Sequence, residues 1–179
     1  MADQAEAPEL TRLIAARIRD VPDYPQPGVV FKDITPLLAD GEAFRAVIDA
    51  LAITYGPVEK VAGIEARGFI LAAPVAARLG AGFVPIRKKG KLPGATFAEN
   101  YQLEYGTATI EVLTDAFDPG DRVLVIDDVL ATGGTACATV NLVQRAGAQV
   151  AGISVLLELS FLHGRAKLGA LPVTALMTV

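Results

Sequence analysis

Four short apolar runs, separated by stretches of helical periodicity, constrain this chain more than any other feature. Residues 60–64, 82–86, 122–126 and 150–157 read as buried strands. Runs apolar on both faces, alternating with helices, point to βα units around a parallel sheet. The intervening helices have their own signals. Asp40 is an N-cap ahead of the stripe Phe44, Val47, Ile48, Leu51 and Tyr55, which Gly56-Pro57 ends. Residues 69–79 form a helix stopped at Gly80, and 135–145 form another before Gly147. A first short helix is expected over 9–19, with Leu10, Leu13, Ile14 and Ile18 on one face. The stretch 24–38 holds Pro25, Pro27, Gly28 and Pro36 and is expected to be irregular. The apolar end, Ala175 to Met177, suits a final strand.

The same reading absorbs the composition. The 179 residues are 52% hydrophobic and 20% charged, too apolar for a disordered chain and long enough for one core. One domain over 1–179 is expected. The longest uncharged run, 129–144, carries Gly133, Gly134, three threonines and Asn141. It does not resemble a membrane span of about 20 apolar residues, so no membrane partner is expected. Asp3, Glu6 and Glu9 leave no apolar segment for a signal peptide. The lone cysteine, Cys137, excludes an intrachain disulfide and favours a reducing, cytoplasmic setting. A net charge of −4 provides no global field for nucleic acid.

The charge is unevenly spread. Arg87, Lys88, Lys89 and Lys91 crowd into five positions of an acidic chain. Beyond them, Tyr101, Leu103 and Tyr105 alternate with polar residues, and Ala108, Ile110 and Val112 continue the alternation past Gly106-Thr107. This is a hairpin attached to a basic loop.

The segment 123–135, VLVIDDVLATGGT, carries the chemistry. A buried strand is expected to end at two carboxylates, Asp127 and Asp128. A small loop then opens a helix. In parallel sheets, ligands bind beyond the carboxyl ends of the strands. Helix N-terminal N–H groups attract anions, and glycines let the backbone wrap closely around them. Thr132 and Thr135 add hydroxyls. The loop suits a phosphate monoester, whereas ionised carboxylates suit hydroxyls. A phosphate beside paired hydroxyls describes ribose 5-phosphate.

That segment resembles the phosphoribosyl pyrophosphate signature of type I phosphoribosyltransferases. PGVVFKDITPLL, GIEARGF, IRKKGKLPG and LEYG, in that order, narrow the resemblance to the adenine phosphoribosyltransferases. The match runs over about residues 24–168. It implies an α/β fold with a central parallel sheet flanked by helices, a small hood and a flexible hairpin lid at about 87–112. It implies transfer of 5-phosphoribosyl to N9 of adenine, giving AMP and pyrophosphate, with Mg²⁺ bound mainly through the substrate rather than directly by the protein. A homodimer is also implied.

Residue roles follow from the resemblance. Ala131, Thr132, Gly133, Gly134 and Thr135 would hold the 5-phosphate, and Asp127 and Asp128 the ribose hydroxyls. Ala66 and Arg67 lie in a turn that binds pyrophosphate through an unusual peptide geometry. Arg87, Lys88 and Lys91 would neutralise pyrophosphate, with Arg87 able to reach a neighbouring subunit's site. Phe31 and Leu159 would sandwich adenine while the backbones of Val30 and Arg67 read its edge. Glu104 would handle the purine proton and Tyr105 would contact substrate from the lid. Taken on its residues alone, Phe31 reads as a core side chain.

Two other functions stay open at this stage: transfer to another nucleobase, and a non-catalytic phosphoribosyl pyrophosphate sensor. VVFKDIT and LEYG oppose the first. The second normally requires a DNA-binding module, and few residues precede Tyr24. His163 and Cys137 lie outside any ligand pattern. Cys137 is expected to be a small buried residue.

Overall fold

The computed structural model describes residues 3–52, 55–102 and 107–179. The chain divides into two compact units, Met1–Ala50 and Leu51–Val179.

In the first unit, α1 (Asp3–Ala15) ends earlier than its apolar stripe suggests. Residues 19–22 instead form β1 (Arg19–Pro22), antiparallel to β2 (Val30–Asp33). Cross-strand charge explains the pairing. Arg19 meets Asp33 at 2.7 Å and Lys32 meets Asp20 at 2.7 Å. The expected irregular stretch therefore carries a strand, and also α2 (Thr35–Ala39). Pro36 fits there because the first helical turn needs no N–H from it. Asp40 caps α3 (Gly41–Ala52) as expected, accepting from the N–H groups of Glu42 (3.1 Å) and Ala43 (3.0 Å).

The second unit is built on a seven-stranded sheet. Its parallel strands are β3 (Lys60–Ile64), β4 (Gly82–Lys88), β7 (Arg122–Leu130), β8 (Gln149–Glu158) and β9 (Val173–Thr178). The hairpin of β5 (Thr96–Gln102) and β6 (Thr107–Leu113) adds antiparallel to β4, giving the order β5-β6-β4-β3-β7-β8-β9. Helix α4 (Arg67–Leu79) links β3 to β4, and α5 (Gly134–Arg145) links β7 to β8. Val61, Ala62, Val125, Ile126, Ile153 and Leu157 are fully or almost fully buried, which is why these runs carry no polar alternation. No helix among the described residues is long and apolar enough to cross a membrane.

The order places the site. β3 and β7 are neighbours, registered from Lys60↔Val123 to Gly63↔Ile126. The chain leaves β3 toward β4 on one side and leaves β7 toward β8 on the other. Connections that diverge from adjacent parallel strands open a crevice at their carboxyl ends.

Close packing holds α4 on this pair. A Cβ at Gly63 would lie 2.7 Å from the Ala72 Cβ and 2.8 Å from the Phe83 ring. Gly63→Ala is therefore expected to destabilise the protein by about 1–3 kcal/mol through overpacking. A lowered urea midpoint at unchanged m-value is the measurement that checks it.

Candidate active site

β7 runs to Leu130, three residues beyond the first aspartate, rather than ending at Asp127-Asp128. Pairing with β8 explains the extension, since Asp127↔Val155, Val129↔Leu157 and Leu130↔Glu158 remain in register. Adjacent strand residues face opposite sides. The two carboxyl groups nevertheless stay within reach of each other, and Asp127 Oδ1 accepts from the Asp128 N–H at 2.9 Å. Asp127 lines a cavity of about 60 Å³ with Ile64, Leu130, Thr132, Gly134 and Thr135. Asp128 pairs instead with Arg67, Nη2 to Oδ2 2.7 Å.

The loop after β7 forms the floor of this cavity, with Ala131 and Gly133 also lining it. Gly133 caps α5 at φ +76°, a left-handed conformation that favours glycine. The first turn of α5 leaves N–H groups without helical acceptors beside the cavity. The loop expected to hold the 5-phosphate is thus assembled in one place with Asp127.

Burial and the charge of Asp128 push the Asp127 pKa well above its ordinary value of 3.8. Asp128 is also raised by burial, against the opposing pull of Arg67. Gly68 allows α4 to start this close, because a Cβ there would lie 2.9 Å from Asp127 Oδ1.

Arg67 opens α4, and the preceding Glu65–Ala66 peptide is cis, an unusual geometry at the turn where one was expected. Glu65 was not singled out from sequence, yet its carboxylate gathers the basic loop. Its Oε2 accepts from the Lys88 N–H at 2.8 Å and Arg87 Nε at 3.3 Å, and its Oε1 meets Lys91 Nζ at 3.0 Å. Burial works to raise the Glu65 pKa. The Lys88 N–H and the Lys91 and Arg87 side chains outweigh it and hold the value at about 2. Glu111 adds a second tie, accepting from the Gly90 N–H at 2.9 Å. The Arg87 and Lys91 side chains and the backbone at Lys88 and Gly90 are therefore held by acidic partners.

The hairpin is also tied to α5, the helix that the loop 131–133 opens. Asn141 and Arg145 of α5 both donate to Glu99 on β5, each at 2.9 Å. At the loop itself, a Cβ on Gly134 would lie 3.0 Å from the Gln102 carbonyl. Glu104 and Tyr105 lie outside the described residues.

Val30 and Phe31 sit on β2 in the unit Met1–Ala50. Val30 is half exposed, and Phe31 meets the Tyr24 ring edge to face at 5.2 Å. Leu159 follows β8, its N–H bonded to the Leu130 carbonyl at 2.9 Å. Cys137 is half-buried on α5, less enclosed than expected, and packs against the core. His163 has φ +52° and leads into a short 3₁₀ turn, Gly164–Leu168. Gly164 packs directly on the loop 131–133. No charge or spacing signal in the sequence marked it. Among the described residues, no three His, Cys, Asp or Glu side chains gather as a metal site.

This constellation defines a phosphoribosyltransferase: residues 37–167 match the family model described as "Phosphoribosyl transferase domain". The chain is 64% identical to an adenine phosphoribosyltransferase of Acidothermus cellulolyticus, over 96% of this chain and 98% of that one. The adenine phosphoribosyltransferase structure from Rhodothermus marinus superposes with a TM-score of 0.92 at 53% identity, covering 96% and 99% of the two chains. The Saccharomyces cerevisiae enzyme, solved with adenine and an imino-altritol bisphosphate, gives 0.88 at 34% identity, covering 94% and 99%. The chain belongs to the adenine phosphoribosyltransferase family.

The raised aspartate values make a stability prediction. A carboxyl group whose pKa is raised on folding contributes stability below its unfolded pKa and loses it as pH rises through the folded value. Both aspartates act in this direction. Asp127→Asn removes one ionisation and its repulsion on Asp128. Its urea midpoint is expected to gain on the wild type's as pH rises above the ordinary aspartate value of about 4. An unchanged difference as pH rises contradicts the reading.

Proposed function

We propose that this protein transfers the 5-phosphoribosyl group of phosphoribosyl pyrophosphate to N9 of adenine, giving AMP and pyrophosphate in purine salvage. The observation that carries the reading is the Thr132–Thr135 loop opening α5 beside Asp127, in a chain 64% identical to an adenine phosphoribosyltransferase.

In this reading, the loop N–H groups and the hydroxyls of Thr132 and Thr135 bind the 5-phosphate. Asp127 accepts hydrogen bonds from the ribose hydroxyls. Asp128 holds Arg67 at the mouth and joins the ribose contacts when substrate draws Arg67 toward pyrophosphate. Leu159 closes one side of the base, and the backbone of Arg67 reads its edge.

The N9–C1 bond forms as the bond from C1 to the pyrophosphate oxygen breaks, and Glu104 takes the N9 proton. Positive charge develops on the sugar ring, where Asp127 opposes it. Negative charge develops on the leaving pyrophosphate, where Arg67, Arg87, Lys88, Lys91 and the Ala66 turn oppose it. Tyr105 and the rest of the lid exclude water from the activated sugar.

Hard carboxylate oxygen at Asp127 beside the cavity fits a divalent ion carried mainly on substrate phosphates. Mg²⁺ bound that way would offset pyrophosphate charge. The proposal includes a homodimer working in the cytoplasm.

Competition among adenine, guanine, hypoxanthine and xanthine, with phosphoribosyl pyrophosphate and Mg²⁺, tests the assignment. AMP is the expected product, and no turnover of adenine would overturn the assignment. Glu65→Ala should loosen the cation cluster and weaken pyrophosphate binding about tenfold, leaving ribose 5-phosphate binding unchanged. Calorimetry with each ligand measures both effects. Tighter pyrophosphate binding would mean that Glu65 competes for the cations rather than positioning them.

A further inference from the structure

The floor of the phosphate loop is a contact between two backbones. A Cβ on Gly133 would lie 2.3 Å from the Gly164 carbonyl oxygen. A Cβ on Gly164 would lie 2.1 Å from the Ala131 carbonyl oxygen and 2.8 Å from the Gly133 nitrogen. None of these three distances is open to a carbon atom, and the opposing atoms are main chain and cannot rotate away. The loop 131–133 therefore rests on Gly164, which is itself buried.

Gly164 belongs to a short 3₁₀ turn with little regular hydrogen bonding of its own. Other groups fix its position. The next residue, Arg165, makes a two-pronged contact with Glu158: Nε to Oε1 at 3.0 Å and Nη2 to Oε2. Its Nη1 also donates to the Val173 carbonyl at 2.7 Å. Glu158 is the last residue of β8 and pairs in register with Leu130, the last residue of β7. Arg165 thus ties the turn to the strand end from which the phosphate loop departs. Leu168, buried at the far end of the turn, anchors it in the core.

We infer that Gly164, held by the Arg165–Glu158 pair, is a positioning device for the 5-phosphate loop. It touches no substrate. It sets how closely residues 131–133 can curl, and hence where the N–H groups at the start of α5 point. A planar guanidinium bonded to both carboxylate oxygens resists rotation, which a single contact would allow. The inference rests on the reading of residues 131–135 as the 5-phosphate site. It adds three residues that the motif does not contain.

The test compares ligands that divide the substrate between them. Dissociation constants for ribose 5-phosphate and for pyrophosphate with Mg²⁺ are measured by calorimetry on wild type, Gly164→Ala, Arg165→Lys, Arg165→Ala, Glu158→Gln and the Arg165→Ala/Glu158→Gln double variant. KM for phosphoribosyl pyrophosphate and for adenine is measured alongside. Gly164→Ala is expected to weaken ribose 5-phosphate about tenfold or more and to move pyrophosphate and the adenine KM by less than about twofold. Arg165→Ala should do the same more weakly, with Arg165→Lys between it and wild type. The double variant should be no worse than Arg165→Ala, because the two residues act as one unit.

Equal weakening of both ligands, or additive losses in the double variant, would reduce the clamp to general support of the fold and overturn the inference. Unchanged ribose 5-phosphate binding would overturn it as well. If Gly164→Ala does not fold, the Arg165 and Glu158 variants decide the matter. A wild type that makes AMP but does not bind ribose 5-phosphate refutes the loop assignment and the inference with it. A wild type that binds ribose 5-phosphate but makes no AMP refutes the proposed activity alone.

Discussion

Four consecutive residue pairs between β3 and β7 set the frame for everything at the site. Because the two strands are parallel and adjacent, their carboxyl ends emerge side by side. Because their connections run in opposite directions, a crevice opens at those ends, with the start of α4 packed along one side of it at Gly68 and Asp127. The Glu65–Gly68 turn leaves one strand and the loop 131–135 leaves the other. The two turns that the proposed function assigns to the two ends of one substrate are thus placed by backbone pairing before any side chain contributes.

Within that frame, charge is arranged in opposed pairs. Asp128 faces Arg67, and Glu65 faces Arg87 and Lys91. Asp127, beside the cavity, feels the pull of Arg67 and of the Asp128 N–H, but burial and the charge of Asp128 outweigh them and push its pKa well up. The cations would otherwise repel one another in the absence of a polyanion. A buried carboxylate among them holds their geometry at the cost of some attraction for the ligand. The net charge of −4 conceals this local organisation completely.

The sheet was largely legible in the sequence because burial on both faces writes itself as uninterrupted apolar runs. The strand over 60–64 and the helix before Gly80 need only that logic. The second hairpin strand was legible from the alternation of Ala108, Ile110 and Val112. The first begins at Thr96, ahead of the alternation at 101–105, of which 103–105 lie outside the described residues. The loop 131–135 was legible from its glycines and threonines after a strand. Where pairing with a distant partner decides, local pattern falls short. Arg19–Pro22 joins a strand through charges on residues more than ten positions away. β7 continues through two aspartates because β8 stays beside it. Glu65 was visible in its motif, but its role depends on the fold bringing 87–91 back to it.

The contact of Gly133 with Gly164 has a consequence for heredity. Most tight contacts tolerate change because a neighbour can shrink when its partner grows. Here each residue already has the smallest possible side chain, and each presses on a carbonyl that every amino acid shares. No second substitution nearby can restore the space. The two positions, some thirty residues apart, are therefore closed to exchange together, and a drift at either one has no compensating path back.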